Sequence, residues 1–368
     1  MDIATTAGLP NGHAALGSAR RYRQAGRWRL AVIVLSALAL FVLAGAVAVV
    51  GISETGLATL LAIVVEKLSF GYVKANADPQ QARVLLYLRL PRVVMAMVAG
   101  GSLAFAGVLM QAITRNPLVS PYTIGVSSAA AFGASVAIMF GVGFSAAGLY
   151  FVPLTAFLFA LGCAVLVFSM AWLRGMGAQT MVLTGIALMY LFSAMTAAVQ
   201  FVATQEQLAR VVHWTFGSLN GIGWDAVAVA GLALLIALPL AQAKAWQFNA
   251  LTSAGDDVSR SLGINVAMLR GLAVVLSVVV SAVVISFTGV IGFVGLIGPH
   301  VGRLIIGSDH RYLIPFASIC GAALLLLADT LGRMAFSPTV IPVGIVVAFV
   351  GVPLFLHLIL SRRSEYFS

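Results

Sequence analysis

Apolar runs separated by short polar breaks fill the chain from about Arg29 to Leu360. A helix needs about 20 mostly apolar residues to cross the ~30 Å hydrocarbon core of a bilayer, because each residue rises only ~1.5 Å. On that measure the pattern predicts about ten membrane helices, near residues 29–51, 92–113, 121–142, 150–173, 179–203, 225–243, 268–288, 292–306, 312–333 and 342–361. The eighth is short and carries Pro299. Proline has no N–H, and its ring collides with the carbonyl four residues back, here Gly295. The eighth helix is therefore expected to break at Pro299, or to restart with Pro299 as its first residue. Small residues recur at three- and four-residue spacing in "MVAGGSLAFAG", in "IGVSSAAAFGA" and in "GFVGLIGPHVG", which holds Gly292, Gly295, Gly298 and Gly302. Lipid gives little hydrophobic drive between helices, so close backbone packing must hold such segments together. The expectation is an all-α polytopic membrane protein.

Composition agrees. The chain is 61% hydrophobic and 9% charged, against about 25% charged in a soluble domain. The membrane domain is expected over 29–361, with a basic tail over 1–28, disordered at least to Ala19, and a short tail over 362–368. The apolar run from about Leu30 to Val50 exceeds the roughly 7–15 residues of a signal-peptide core, which points to an uncleaved first helix. Of the 21 Lys and Arg, 14 fall on the side of the N-terminus if there are ten spans, which puts both termini in the cytoplasm. The net charge of +10 is then explained by this bias and by anionic membrane lipid, with no nucleic acid partner. The longest outer loop, about Ile52 to Tyr87, is expected to hold a short interfacial helix.

The chemistry-bearing residues are few. There is no Gly-Lys pair, hence no Walker A phosphate loop, and no H-E-x-x-H. His300 and His357 are isolated, and Cys163 and Cys320 lie in apolar runs, so no cofactor, metal or disulfide framework is expected in this chain. Asp329 is the one carboxylate inside a span, four residues before Arg333 and at the spacing of a helical ion pair. The segment Ala243–Arg270 is too polar for lipid and longer than the usual connector of about 2–8 residues. Asp256 and Asp257 suit the start of a short helix, Gly263 its end after Leu262, and a second short helix could begin near Asn265. The result is a compact knob over about 244–267, with Asp256, Asp257 and Arg260 at its rim, on which a soluble partner could push. An ion-coupled secondary transporter would carry more buried carboxylates or histidines, and an intramembrane enzyme would need a nucleophile–base or metal pair. An ATP-driven transporter is favoured over both.

Four stretches carry a resemblance. "LRLPRVVMAMVAGGSLAFAGVLMQAITRNPLVSPYTIGVSSAAAFGA", "NALTSAGDDVSRSLGINV", "GFVGLIGPHVGRLIIGSDHRYLIPFASICGAALLLLADTLGR" and "IPVGIVVAFVGVPLFLHLIL" resemble, in order, the motifs of the FecCD-type permease family. These are membrane subunits of ATP-binding-cassette (ABC) importers for iron-siderophores, haem and cobalamin, and related molybdate permeases exist. The resemblance implies a type II ABC importer permease in a bacterial inner membrane. It implies a homodimer, two ATPase subunits that bind ATP and Mg, a periplasmic binding protein, and iron-siderophore as the commonest substrate. It also implies roles for particular residues. Arg89, Arg92 and Arg333 match arginines that dock the binding protein. The 244–267 segment matches the coupling loop, and the tip Asp309, His310 and Arg311 borders the ATPase contact. The turn Gly177, Ala178, Gln179 and Thr180 matches the cytoplasmic gate. Two positions depart from the family pattern: Val340 stands where an acid is common, and Ser259 where alanine is usual.

Overall fold

In a computed structural model of the chain, residues 12–49, 62–63, 65–67, 78–140, 148–174, 177–335 and 339–361 are described, and no strand occurs among them. The helices are α1 (Gly12–Val49), α2 (Pro79–Val84), α3 (Leu90–Thr114), α4 (Val126–Met139), α5 (Gly148–Leu173), α6 (Ala178–Val202), α7 (Gln205–Thr215), α8 (Trp224–Gln242), α9 (Ala245–Ser261), α10 (Val266–Thr288), α11 (Val294–Ile306), α12 (His310–Met334) and α13 (Val343–Ser361). Among the described residues, seven helices are long and apolar enough to cross a membrane, and α4, α11 and α13 are shorter apolar helices. Together they coincide with the ten expected spans. Of the expected tail over 1–28, residues 1–11 lie outside the described residues, and 12–28 are not a disordered tail but the first part of α1, the helix continuing without a break into the apolar run; 362–368 and most of 52–77 also lie outside the described residues. Within the long loop, α2 starts at Asp78, whose carboxylate accepts from Gln80 N at 3.2 Å. A π-helical turn, Leu85–Arg89, joins α2 to α3.

The bundle is organised around α3, whose residues from Ala99 to Thr114 are all buried. Its small residues let α11 and α12 lie against it backbone to backbone. A Cβ on Gly100 would fall 2.2 Å from the Gly321 carbonyl oxygen of α12, and one on Gly107 would fall 1.9 Å from the Gly295 oxygen of α11. One on Gly298 would meet the Ala104 Cβ at 2.6 Å, and one on Gly302 the Leu313 side chain at 2.9 Å. Three of the four glycines singled out in α11's motif are therefore contact points. Gly292 is not one of them, since nothing lies closer than 4.0 Å to a Cβ built there. Around this centre, α1, α5, α6 and α8 expose large apolar side chains such as Phe41, Trp172, Tyr190 and Leu235.

The expected break at Pro299 is not found. α11 runs unbroken through Pro299. The chain turns earlier, between α10 and α11, where Gly289 (φ +72°) and Phe293 (φ +61°) are left-handed. Proline inside a helix leaves the carbonyl four residues back without its usual partner. Here Gln111 of α3 donates its Nε2 to that carbonyl, on Gly295, at 3.3 Å, and Gln111 Oε1 in turn accepts from Arg303. The orphaned acceptor is thus satisfied from a neighbouring helix, and α11 has no need to open.

Candidate functional site

Two polar clusters occupy opposite ends of the bundle. At the end where α1 finishes, Arg92 grips Asp329 with Nε at 3.1 and 2.9 Å from the two carboxylate oxygens and NH2 at 2.7 Å. Arg333 approaches the same carboxylate with Nε at 3.3 Å. Asp329 is 1% exposed, Arg92 14% and Arg333 17%. Arg92 also donates to Asn220, and Arg89 donates to the Ala48 carbonyl at 3.3 Å. The Asp329–Arg333 helical pair expected from spacing is present, with Arg92 as an additional partner 237 residues away. Of the three arginines expected to face a docking protein, Arg92 and Arg333 are thus folded inward onto one carboxylate.

At the other end, α9 forms the knob. It bends at Gly255 (φ +80°, ψ −175°), a conformation only glycine adopts readily, and ends at Leu262 and Gly263 (φ +79°). The short helix expected to begin at Asp256 is therefore the second half of a longer, bent one. Asp256 does not sit at the rim and does not cap. Its carboxylate takes the Arg270 guanidinium at 2.9 and 3.0 Å. Asp257, 98% exposed, and Arg260 stand at the surface as an i,i+3 pair at 3.4 Å. The helix expected to start near Asn265 does start there, with the Asn265 side chain accepting from Met268 N at 3.0 Å. It is α10 itself and not a short element.

The Asp309–Arg311 tip lies against α9. Asn249 donates to Asp309 Oδ1 at 2.7 Å and accepts from His310 N at 2.8 Å. Asp309 also pairs with Arg311 at 2.6 Å and lies 3.8 Å from Arg29 of α1. Burial pushes the Asp309 carboxyl up, but the bonds from Arg311 and Asn249 outweigh it and hold the group at about 2. His310 is 3% exposed, its ring against Asn249. It was expected at a partner contact and is instead a buried anchor. Gln242 ties α8 to the same tip by donating to the Arg311 carbonyl at 2.6 Å.

A cleft of about 540 Å³ opens beside this knob. Its lining includes Gly177, Ala178 and Gln179 from the expected gate turn, with Val182 and Leu183 of α6. Thr114, Arg115, Asn116, Asp256 and Arg270 line it too. The gate turn and the knob are thus brought to one cavity, while Gly175 and Met176 of the same turn lie outside the described residues. Sequence reasoning missed Arg270, Asn249, Gln111 and Arg303 as structural ties. Arg270 and Arg303 carried a signal, being charges at the ends of apolar runs, but nothing local named their partners.

The pattern of the FecCD transport family matches residues 37–361. The chain belongs to that family. Among curated relatives, the molybdate import system permease protein MolB of Haemophilus influenzae is 37% identical over 289 residues, 77% of this chain and 84% of that one. The hemin transport system permease protein HmuU of Yersinia pestis is 36% identical over 284 residues, 77% and 84% of the two chains. A solved structure described as an inward-facing metal-chelate type ABC transporter superposes with a TM-score of 0.77 at 32% identity, covering 90% of this chain and 99% of that one. As a FecCD family member, the chain is a multi-pass ABC permease. The match runs from within α1 to the end of α13 and takes in the Asp329 cluster, the knob and the Asp309–Arg311 tip, but not Arg29. It also includes Ser259, whose buried hydroxyl has no hydrogen-bond partner.

Proposed function

We propose that this permease is the membrane subunit of an ATP-driven importer that carries an iron chelate into a bacterial cytoplasm by alternating access. The observation that carries the reading is the knob. A membrane domain without its own nucleotide site needs a rigid polar protrusion to receive mechanical work. α9 supplies one: Asp257, Arg260 and Leu262 are exposed, and the helix is tied by side-chain bonds to α10 and α12 beside the cleft that holds the gate turn. In this reading two copies of the chain assemble with two ATPase subunits, which bind ATP and Mg, and with a periplasmic binding protein. The α9 end, with both termini, faces the cytoplasm across the inner membrane, and the Asp329 end faces the periplasm. The iron chelate is favoured by the solved relative described as metal-chelate type and by the hemin permease. A specific observation supports molybdate as a second substrate, namely the 37% identity to a molybdate permease. A deletion strain grown on a ferric hydroxamate, haem, cobalamin or molybdate as sole source of the nutrient decides. Loss of growth on the ferric hydroxamate alone supports the iron-chelate reading, and loss on molybdate alone replaces it.

A further inference from the structure

Gly255 makes α9 an awkward lever. A helix bent at a glycine with φ +80° has a soft point, because glycine passes between backbone regions at little cost. A push on the exposed tip near Leu262 would be absorbed there unless the second half of α9 were braced. Two side chains from other elements meet at this bend. Arg270, on α10 and 3% exposed, holds both oxygens of Asp256 at 2.9 and 3.0 Å and donates its Nε to the Ile113 carbonyl at 3.2 Å. Ile113 is in the last turn of α3. Two residues later Arg115 leaves the helix in a left-handed conformation (φ 49°), with its guanidinium beside Gly255, 2.8 Å from where a Cβ would stand. α3 and α10 therefore both clamp the residues on which α9 would flex. The clamp residues Arg115, Asp256 and Arg270 also line the cleft that holds part of the gate turn.

We infer that Arg270 is a positioning residue that makes the second half of α9 and the end of α3 one rigid piece, so that movement of the knob reaches the 115–123 loop and the cleft. The inference rests on the reading of α9 as the element that receives the push. A planar guanidinium can hold a carboxylate by two parallel bonds and still reach a carbonyl with its Nε. A lysine ammonium is a single point charge on a flexible stem and cannot fix that geometry.

The test uses the full chain in lipid nanodiscs with Cys163 and Cys320 replaced and spin labels at Ser261 and Leu118, both exposed. With the labelled chain diluted into an excess of unlabelled chain, so that a dimer holds one labelled copy, double electron–electron resonance should give one narrow distance for the otherwise unchanged chain. Arg270→Lys and Asp256→Asn should lose that single distance and give a broad distribution, while Asp256→Glu, which keeps the fork, should recover it. Asp256→Asn preserves volume at a partly exposed position, so it carries the test if Arg270→Lys does not assemble. In complex with the ATPase subunits, the two broadening variants should hydrolyse MgATP yet lose transport of a ferric hydroxamate, and Asp256→Glu should regain it. A narrow distribution in folded Asp256→Asn overturns the inference. The distance measurement needs neither nucleotide nor substrate, so a chain that proves not to be driven by ATP fails only the second measurement, and the brace is still judged by the first.

Discussion

Replacing Asp329 by asparagine changes almost no volume and removes one charge, which makes it a clean probe of the arginine cluster. Arg92 and Arg333 would be left facing each other with side-chain exposures of 14% and 17%, too little for water to screen them well. Removing one partner of a buried ion pair costs about 3–5 kcal/mol, because the other charge stays buried and uncompensated. Asparagine keeps one acceptor oxygen, and a hydrogen bond retained there returns about 1 kcal/mol. A net loss of about 3 kcal/mol is expected. At roughly 2 °C per kcal/mol, the figure for large soluble chains, the melting temperature should fall by about 6 °C. Thermal unfolding in detergent, followed by tryptophan fluorescence, measures this. Arg92→Gln and the Asp329→Asn/Arg92→Gln pair complete a double-mutant cycle. Removing the stranded cation should recover part of the loss, with a coupling energy above about 1 kcal/mol. A loss below about 1 kcal/mol for Asp329→Asn, the value of an exposed pair, would refute the reasoning.

Other consequences are as direct. Gly263→Trp should cost about 1–2 kcal/mol, because a side chain is strained at φ +79° even though a Cβ there meets nothing within 4 Å, and should stop transport by blocking the seat of the α9 tip; normal transport by a folded variant would remove the knob from the coupling path. Ser259→Ala should raise stability by about 1 kcal/mol, because a buried hydroxyl without a partner pays its desolvation for nothing; a lower melting temperature would point to an unseen partner. Arg89→Glu should weaken association with the binding protein most at low salt, and unchanged association in a salt series would show that this end docks by other means. Cysteines at Ala178 should cross-link between two copies in the inward-closed state, and absence of the cross-link in every nucleotide state would move the gate elsewhere.

What the sequence disclosed follows from what is local in it. Span positions were legible because bilayer thickness imposes a length on each apolar run, and nine of the ten found their helices within about five residues, while the helix of the first begins well before its apolar run, at Gly12. The Asp329–Arg333 pair was legible from a four-residue spacing. The knob was legible as a polar stretch too long for a connector, and its end at Gly263 as a glycine stop. Three misreadings involve partners outside the local stretch. Pro299 looked like a break because its orphaned carbonyl is satisfied by Gln111, 184 residues from Gly295. Asp256 looked like a rim contact or a cap because Arg270 lay beyond a predicted turn. Arg92 looked free because Asp329 is 237 residues away. In each case a charge or a missing hydrogen bond was visible and its compensation was not. Pairing is decided by which helices cross, and the small-residue stripes say that helices cross without saying which.

Those crossings also limit how the molecule can move. Gly100 against Gly321 and Gly107 against Gly295 place the α3 backbone in contact with α12 and α11. A slide along either crossing brings larger neighbours, Leu103 or Leu325, to the point where only hydrogen fits. α3, α11 and α12 therefore move together or not at all, and Gln111 further locks α3 to α11 through Gly295 and Arg303. α9 is pinned to this block at both halves, through Asn249 to the start of α12 and through Asp256 and Arg270 to the end of α3. α6 is anchored differently, with few of its residues buried and most of its surface outside the block. Force applied at the knob meets a stiff path as far as the cleft, whose lining includes Gly177, the residue before α6.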